Sequence, residues 1–116
     1  MKEAINGIIT LFREEKNAKI HAFCTIAVIW SGNLLNFSSV DWLWISLAIA
    51  GVWTSELFNS ALERIVDLAS PEVNPLAKKA KDFAAGAVLV MAIWAIAVFF
   101  LVAIPNLWII LNFGKI

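Results

Sequence analysis

Apolar residues along this chain come in long blocks, and only the first stretch alternates with charge. Ile5, Ile8, Ile9 and Phe12 recur at three- and four-residue spacing, with Lys2, Asn6 and Arg13 on other faces. That pattern predicts an amphipathic surface helix over 1–19, lying in the plane of a membrane interface. The next block, 20–37, holds eighteen residues, which rise about 27 Å as a helix and barely match a bilayer core. Ser31, Gly32, Asn33 and Asn36 predict that it ends early, in a polar turn. A second span is predicted over 41–63, continuing as helix to about 69, and a third over 83–104. Two prolines in Ala69-Ser-Pro-Glu-Val-Asn-Pro75 break the helix between them. The segment 70–82 is expected as a loop, with a helix restarting near Leu76. Pro105 and Asn106 are expected to interrupt the third span, leaving 107–113 as an interfacial turn. The expected fold is an all-α membrane protein, a single domain over 1–116 with one surface helix and three transmembrane helices.

Composition agrees: 61% of residues are hydrophobic and 16% charged, with a mean hydropathy of +0.82. That leaves too little polar surface for a soluble domain of this size. Zero net charge and the lack of a basic arm argue against a nucleic-acid partner. The single cysteine, Cys24, excludes an intrachain disulfide and is read as inert packing. The charged first nineteen residues do not resemble a cleaved signal peptide. Trp30, Trp42, Trp44 and Trp108 read as an aromatic belt, whereas Trp53 and Trp94 are expected to pack between helices. Lys2, Arg13, Lys16 and Lys19 precede the first span, and Arg64, Lys78, Lys79 and Lys81 lie between the second and third. Only Lys115 lies at the far end. The positive-inside rule then predicts a cytoplasmic N-terminus and an external C-terminus.

Candidate chemistry concentrates where the second span leaves the membrane. At about 100° per residue, Glu56, Asn59, Glu63 and Asp67 share one helix face, with Glu56 deepest and Asp67 nearest water. Acids at membrane depth are costly and point to function. The predicted topology adds Glu14, Glu15, Lys81 and Asp82 to the same cytoplasmic side. Carboxylates with an amide suit a hard cation such as Mg²⁺, and nearby lysines suit phosphate. A carboxylate set deeper in apolar surroundings is suited to take a proton from a buried hydroxyl. Metal, phosphate clamp and base are the parts of phosphoryl transfer. No Gly-x-x-x-x-Gly-Lys-Ser/Thr or Gly-x-Gly-x-x-Gly loop is present, which excludes a nucleotide kinase of a standard fold. On the residues alone three readings stand: a lipid kinase, a small cation- or proton-coupled transporter, and a non-catalytic subunit whose acids solvate a helix end. His21, beside Lys19, reads as an interfacial polar residue rather than a metal ligand, and Asp67 as a partner for nearby basic residues.

Two stretches carry a resemblance: Glu56-Leu-Phe-Asn-Ser-Ala-Leu-Glu-Arg-Ile-Val-Asp67 and Asn74-Pro-Leu-Ala-Lys-Lys-Ala-Lys-Asp-Phe83. Together they resemble the prokaryotic diacylglycerol kinase family, which includes undecaprenol kinases. Its pattern of Glu-x-x-Asn-x-x-x-Glu-x-x-x-Asp, followed by Ala-Lys-Asp entering the third span, is filled at every position. The likeness extends back to Glu15-x-Asn-x-Lys-x-His21. It implies a homotrimer in the bacterial cytoplasmic (inner) membrane, with active sites shared between subunits. The implied activity is transfer of the γ-phosphoryl of MgATP to a lipid hydroxyl. By motif, Glu56 is the implied general base, and Glu15 and Glu63 the implied Mg²⁺ ligands. Asn59, Lys81, Asp82, Glu72 and Asn74 are implied at the nucleotide, with Glu15 and Glu63, and Asn17 and Lys19 join Glu56 at the lipid. Asn74 stands where the family usually has His. The Pro-Glu-x-Asn-Pro-Leu-Ala-Lys loop looks more like the undecaprenol kinase branch.

Overall fold

The structure is a computed structural model that describes residues 1–114. Lys115, counted above at the far end, lies outside the described residues. Four helices follow in order: α1 (Lys2–Glu14), α2 (Lys16–Leu34), α3 (Ser39–Ala69) and α4 (Pro75–Phe113). Among the described residues there is no strand. The molecule is elongated, 61 × 31 × 20 Å, and α3 lies mainly along α4, with α1 and α2 touching α3 more lightly.

Local chemistry sets each boundary. A single extended residue, Glu15 (φ −102°, ψ 120°), separates α1 from α2, so the surface helix is shorter than expected and α2 begins before Ile20. At the far end of α2, Asn36 takes a left-handed conformation (φ 54°), and the Phe37 N–H returns to the Gly32 carbonyl at 3.0 Å. This is the hydrogen-bond closure of a Schellman-type stop. Glycine at position 32 makes room for the Trp42 and Phe37 rings, into which a Cβ there would run. The helix therefore stops at Leu34, three residues before the expected end. Ser38 and Asp41 then form a reciprocal capping box, Asp41 N–H to Ser38 Oγ at 3.1 Å and Ser38 N–H to Asp41 Oδ2 at 2.9 Å, which starts α3.

Two expectations along α4 are corrected. The loop is only 70–74, since Pro75 already sits in the first turn of α4. A proline at that position loses no intrahelical bond, because its N–H would have no partner there. Pro105 does not interrupt the helix either, which runs on to Phe113. A proline removes one hydrogen bond, to the residue four before it, and packing on both sides holds α4 in line. Val98, Val102 and Ala103 are buried against Phe37, Ile45 and Ala48. One turn on, Asn106 Nδ2 donates to Asp41 Oδ2 at 3.0 Å and to the Val102 carbonyl at 2.8 Å.

Among the described residues, α4 alone is long and apolar enough to cross a membrane, with a mean hydropathy of 3.0 over its most apolar window. Both α2 and α3 fall short of that measure. Lys16, Asn17, Lys19 and Asn33 dilute α2, and Trp42, Trp44, Trp53, Ser55 and Glu56 dilute α3. Much of α4 faces outward: Leu89, Val90, Ile93, Ile96, Leu101 and Ile104 are all exposed. Cys24, read as packing, is exposed as well. Trp53 packs between helices as expected, stacked on Phe12 of α1 at 5.1 Å, and Trp94 meets Trp44 edge-on at 6.5 Å.

Candidate active site

The site grows out of the packing stripe of α3. Ile45, Ala48, Val52, Glu56 and Ser60 are its buried residues, and their spacing keeps them on one side of the helix. Asn59, Glu63 and Asp67 continue the same side toward the C-terminal end of α3. One stripe therefore changes from a packing face to a polar one. Glu56 is 3% exposed, Asn59 and Glu63 are half-buried, and Asp67 is exposed. Exposure thus rises from Glu56 to Asp67 along the stripe.

A buried carboxylate needs a partner, since leaving it unpaired in apolar surroundings is strongly unfavourable. Glu56 finds one on α2: the His21 imidazole lies with Nε2 2.7 Å from Glu56 Oε1. With its proton on Nε2, the ring donates that hydrogen bond. The ring is itself framed by α3. Trp53 Nε1 donates to Thr25 Oγ1 at 3.1 Å, and Thr25 Oγ1 donates to the His21 carbonyl at 2.8 Å. The Trp53 indole also meets the imidazole edge-on. His21, read from sequence as an interfacial polar residue, is thus the partner of the deepest acid.

Outward from Glu56, Asn59 Nδ2 donates to Glu63 Oε1 at 3.3 Å. Asn59 Oδ1 and Ser60 Oγ are buried with no hydrogen-bond partner among the described residues. A buried, partnerless amide oxygen beside a carboxylate fits a hard cation that completes its shell with phosphate oxygens. A closed protein cage does not fit, because no three His, Cys, Asp or Glu side chains converge among the described residues. Glu15, the other implied Mg²⁺ ligand, is engaged by Arg64. Arg64 Nη1 donates to Glu15 Oε1 at 3.3 Å, and Arg64 Nη2 to Glu14 Oε2 at 2.6 Å. Hydrogen bonds to Glu14 first and Glu15 second hold the Arg64 guanidinium above its ordinary pKa. The pair of acids at the α1–α2 break is thereby fastened to α3.

The remaining predicted residues surround the α3–α4 loop. Lys81 pairs with Asp67, giving that carboxylate the basic partner expected of it, and Lys78 Nζ donates to Asp82 Oδ2 at 2.6 Å. Asn74 caps α4, its Oδ1 accepting from the Leu76 N–H at 2.8 Å and the Ala77 N–H at 3.4 Å. That oxygen is committed to the helix, so only the Asn74 Nδ2 remains for a ligand. Asp67, Ser70, Glu72, Asn74, Lys78 and Lys81 line a cleft of about 320 Å³. Asn17 and Lys19 are exposed on the first turn of α2, with fully buried Ala18 between them. Asn17 lies one turn before His21, on the same face.

Comparison with known proteins decides among the three readings. Residues 2–103 match the family described as prokaryotic diacylglycerol kinase. The chain belongs to that family. It is accordingly a lipid kinase, a phosphotransferase with an alcohol acceptor. Among its relatives is the undecaprenol kinase of Bacillus subtilis, 42% identical over 101 residues, a match covering 87% of this chain and 82% of that protein. The diacylglycerol kinase of a Synechocystis species is 41% identical over 93 residues, covering 79% of this chain and 53% of that protein. A Helicobacter pylori diacylglycerol kinase is 41% identical over 66 residues, covering 53% of this chain and 52% of that protein. The chain thus spans most of the first relative and about half of the other two. No solved structure gives a significant match. For a prokaryotic diacylglycerol kinase, the outward-facing apolar surface of α4 supports a membrane location.

Proposed function

We propose that this chain transfers the γ-phosphoryl group of MgATP to the hydroxyl of a membrane lipid, undecaprenol in preference to diacylglycerol, at the cytoplasmic membrane face. Such an activity belongs to the recycling of lipid carriers and phospholipids. The observation that carries the reading is Glu56: a buried carboxylate at the deep end of a polar stripe, fixed by one hydrogen bond and followed along α3 by Asn59 and Glu63. The preference for undecaprenol is supported by the extent of the match to the Bacillus undecaprenol kinase, which covers 82% of that protein against 53% and 52% of the two diacylglycerol kinases.

Each residue has its own task. Glu56 takes the proton of the acceptor hydroxyl as the new O–P bond forms and the bond to the ADP oxygen breaks. Lys81, and Lys78 beside it, offset charge on the phosphates from the cleft, which requires each to leave its carboxylate partner. Glu72 and Asp82 contact the nucleotide from the same loop, and Asn74 contributes by fixing the first turn of α4. Asn17 and Lys19 hold the lipid at the interface. Glu63, Asn59 and Glu15 would hold Mg²⁺, which when bound neutralises phosphate charge. Glu15 would do so through the oxygen that Arg64 leaves free.

Glu56 and Asp67 stand about 16 Å apart along α3, so the base and the lysine cleft of one chain are separate. That separation suits active sites shared between subunits, the base of one meeting the nucleotide of another, in the homotrimer that the family resemblance implies. The same reading has three membrane-spanning helices, with the N-terminus and the α3–α4 loop cytoplasmic and the C-terminus outside, following the Lys and Arg distribution. The test is label transfer from γ-labelled ATP to a panel of detergent-solubilised undecaprenol, diacylglycerol and ceramide. Undecaprenol is expected to take up most label. Absence of label in every lipid overturns the activity, and preference for another lipid overturns the acceptor.

A further inference from the structure

The imidazole on Glu56 has no assigned role in the reaction. His21 and Glu56 lie on different helices, 35 residues apart, yet the contact at 2.7 Å is specific to one oxygen, Oε1. The other oxygen, Oε2, takes no hydrogen bond from the described residues. Glu56 is 3% exposed, and the His21 side chain is 21% exposed. The Trp53 ring lies edge-on to the imidazole, and Trp53 Nε1 donates to Thr25 Oγ1, which in turn donates to the His21 backbone carbonyl. Phe12 of α1 stacks on that indole. Beside it, an apolar cleft of about 220 Å³ opens between α2, α3 and α4, lined by Ile20, His21, Cys24, Val28, Ile49 and Ala95 among others. The imidazole is thus the polar end of a greasy slot, and the carboxylate lies immediately behind it.

We propose that His21 is the positioning residue for the base. Its Nε2–H donates to Oε1, fixing the carboxylate rotamer and leaving Oε2 as the oxygen that receives the hydroxyl proton. This rests on the kinase reading above and adds a residue to that same site. The chemistry balances without a further reactant. The acceptor O–H gives its proton to Glu56 Oε2, the freed oxygen bonds the γ-phosphorus, and the bond from phosphorus to the bridging oxygen breaks with its electron pair leaving on ADP. His21 keeps its proton throughout. Its contribution is orientation, because a carboxylate free to rotate spends part of its time with neither oxygen on the substrate.

Full-length protein in detergent is assayed with γ-labelled ATP and undecaprenol, wild type alongside its variants. His21→Ala is expected to lower kcat by about 10- to 100-fold, the loss of one hydrogen bond to a charged group, with KM for both substrates within about twofold of wild type. His21→Gln, which restores a donor, is expected to recover most of the rate. Adding His21→Ala to Glu56→Gln is expected to cost nothing further, since the partner it aims is already disabled. A second readout needs no turnover: the His21 Nε2–H proton resonance is expected far downfield in the wild type and shifted upfield in Glu56→Gln. If the wild type labels lipid and His21→Ala does so at the same rate, the inference fails and the kinase reading stands. Equal losses in His21→Ala and His21→Gln, additive losses with Glu56→Gln, or an Nε2–H resonance unmoved by Glu56→Gln each overturn it too. If the wild type labels no lipid at all, the kinase reading fails and the inference falls with it.

Discussion

Asn74 separates two roles that one side chain has been given: a helix cap and a nucleotide contact. Removing it by Asn74→Ala takes away the acceptor for the Leu76 and Ala77 N–H groups, bonded at 2.8 and 3.4 Å. The second bond is long, so the loss is close to that of one good cap, about 1 kcal/mol within a usual range of roughly 0.5–2 kcal/mol. The damage is confined to the first turn of α4, where Pro75 already presets the backbone. Amide hydrogen exchange at Leu76, Ala77 and Lys78 reads it locally, with exchange about fivefold faster for 1 kcal/mol. Asn74→Ser offers a hydroxyl acceptor with no amide, so it is expected to restore protection at those amides. Asn74→Ser is also expected to keep KM for ATP within about twofold of wild type, because the cap and not the amide matters to the cleft. If Asn74→Ser restores the protection but loses ATP affinity as fully as Asn74→Ala, the side chain acts on the nucleotide directly and this reasoning is refuted.

Further outcomes follow from packing and charge. Gly32→Ala is expected to destabilise the fold by about 1–3 kcal/mol, because the new methyl meets two aromatic rings, whereas Gly51→Ala meets only the flexible end of Met91 and is expected to cost less; thermal unfolding of the two variants in one detergent compares them. Arg64→Ala is expected to cost less than about 1 kcal/mol, an effect that shrinks in high salt, because all three charged groups are partly exposed. Denaturation at low and high ionic strength measures it, and a cost unchanged by salt contradicts it. Chelation of divalent cations is expected to abolish phosphotransfer, with recovery on adding Mg²⁺, as followed by the same labelling assay.

The sequence exposes whatever depends on helical period. The shared face of Glu56, Asn59, Glu63 and Asp67 is contained in their spacing, and the structure reproduces it because α3 stays helical from Ser39 to Ala69. What the period cannot convey is which distant residue meets which. His21 and Glu56 are joined by the way α2 packs on α3, and nothing in either local stretch announces it. Arg64 likewise reads as part of a basic loop until α1 folds back and brings Glu14 and Glu15 to it. Pro105 misleads for the opposite reason. A local rule stops the helix there, and the apolar contacts of Val98, Val102 and Ala103, with the Asn106 bond to Asp41, outweigh one missing hydrogen bond.

The central claim is that Glu56 is the base of a lipid phosphotransferase, and Glu56→Gln tests it with little change in shape. The measurement is the rate of label transfer from γ-labelled ATP to undecaprenol, with nucleotide binding to the same preparation followed in parallel. Transfer is expected to fall by about 10²- to 10⁴-fold, while ATP still binds and the protein stays folded. A Glu56→Gln protein that phosphorylates the lipid at the wild-type rate contradicts the account.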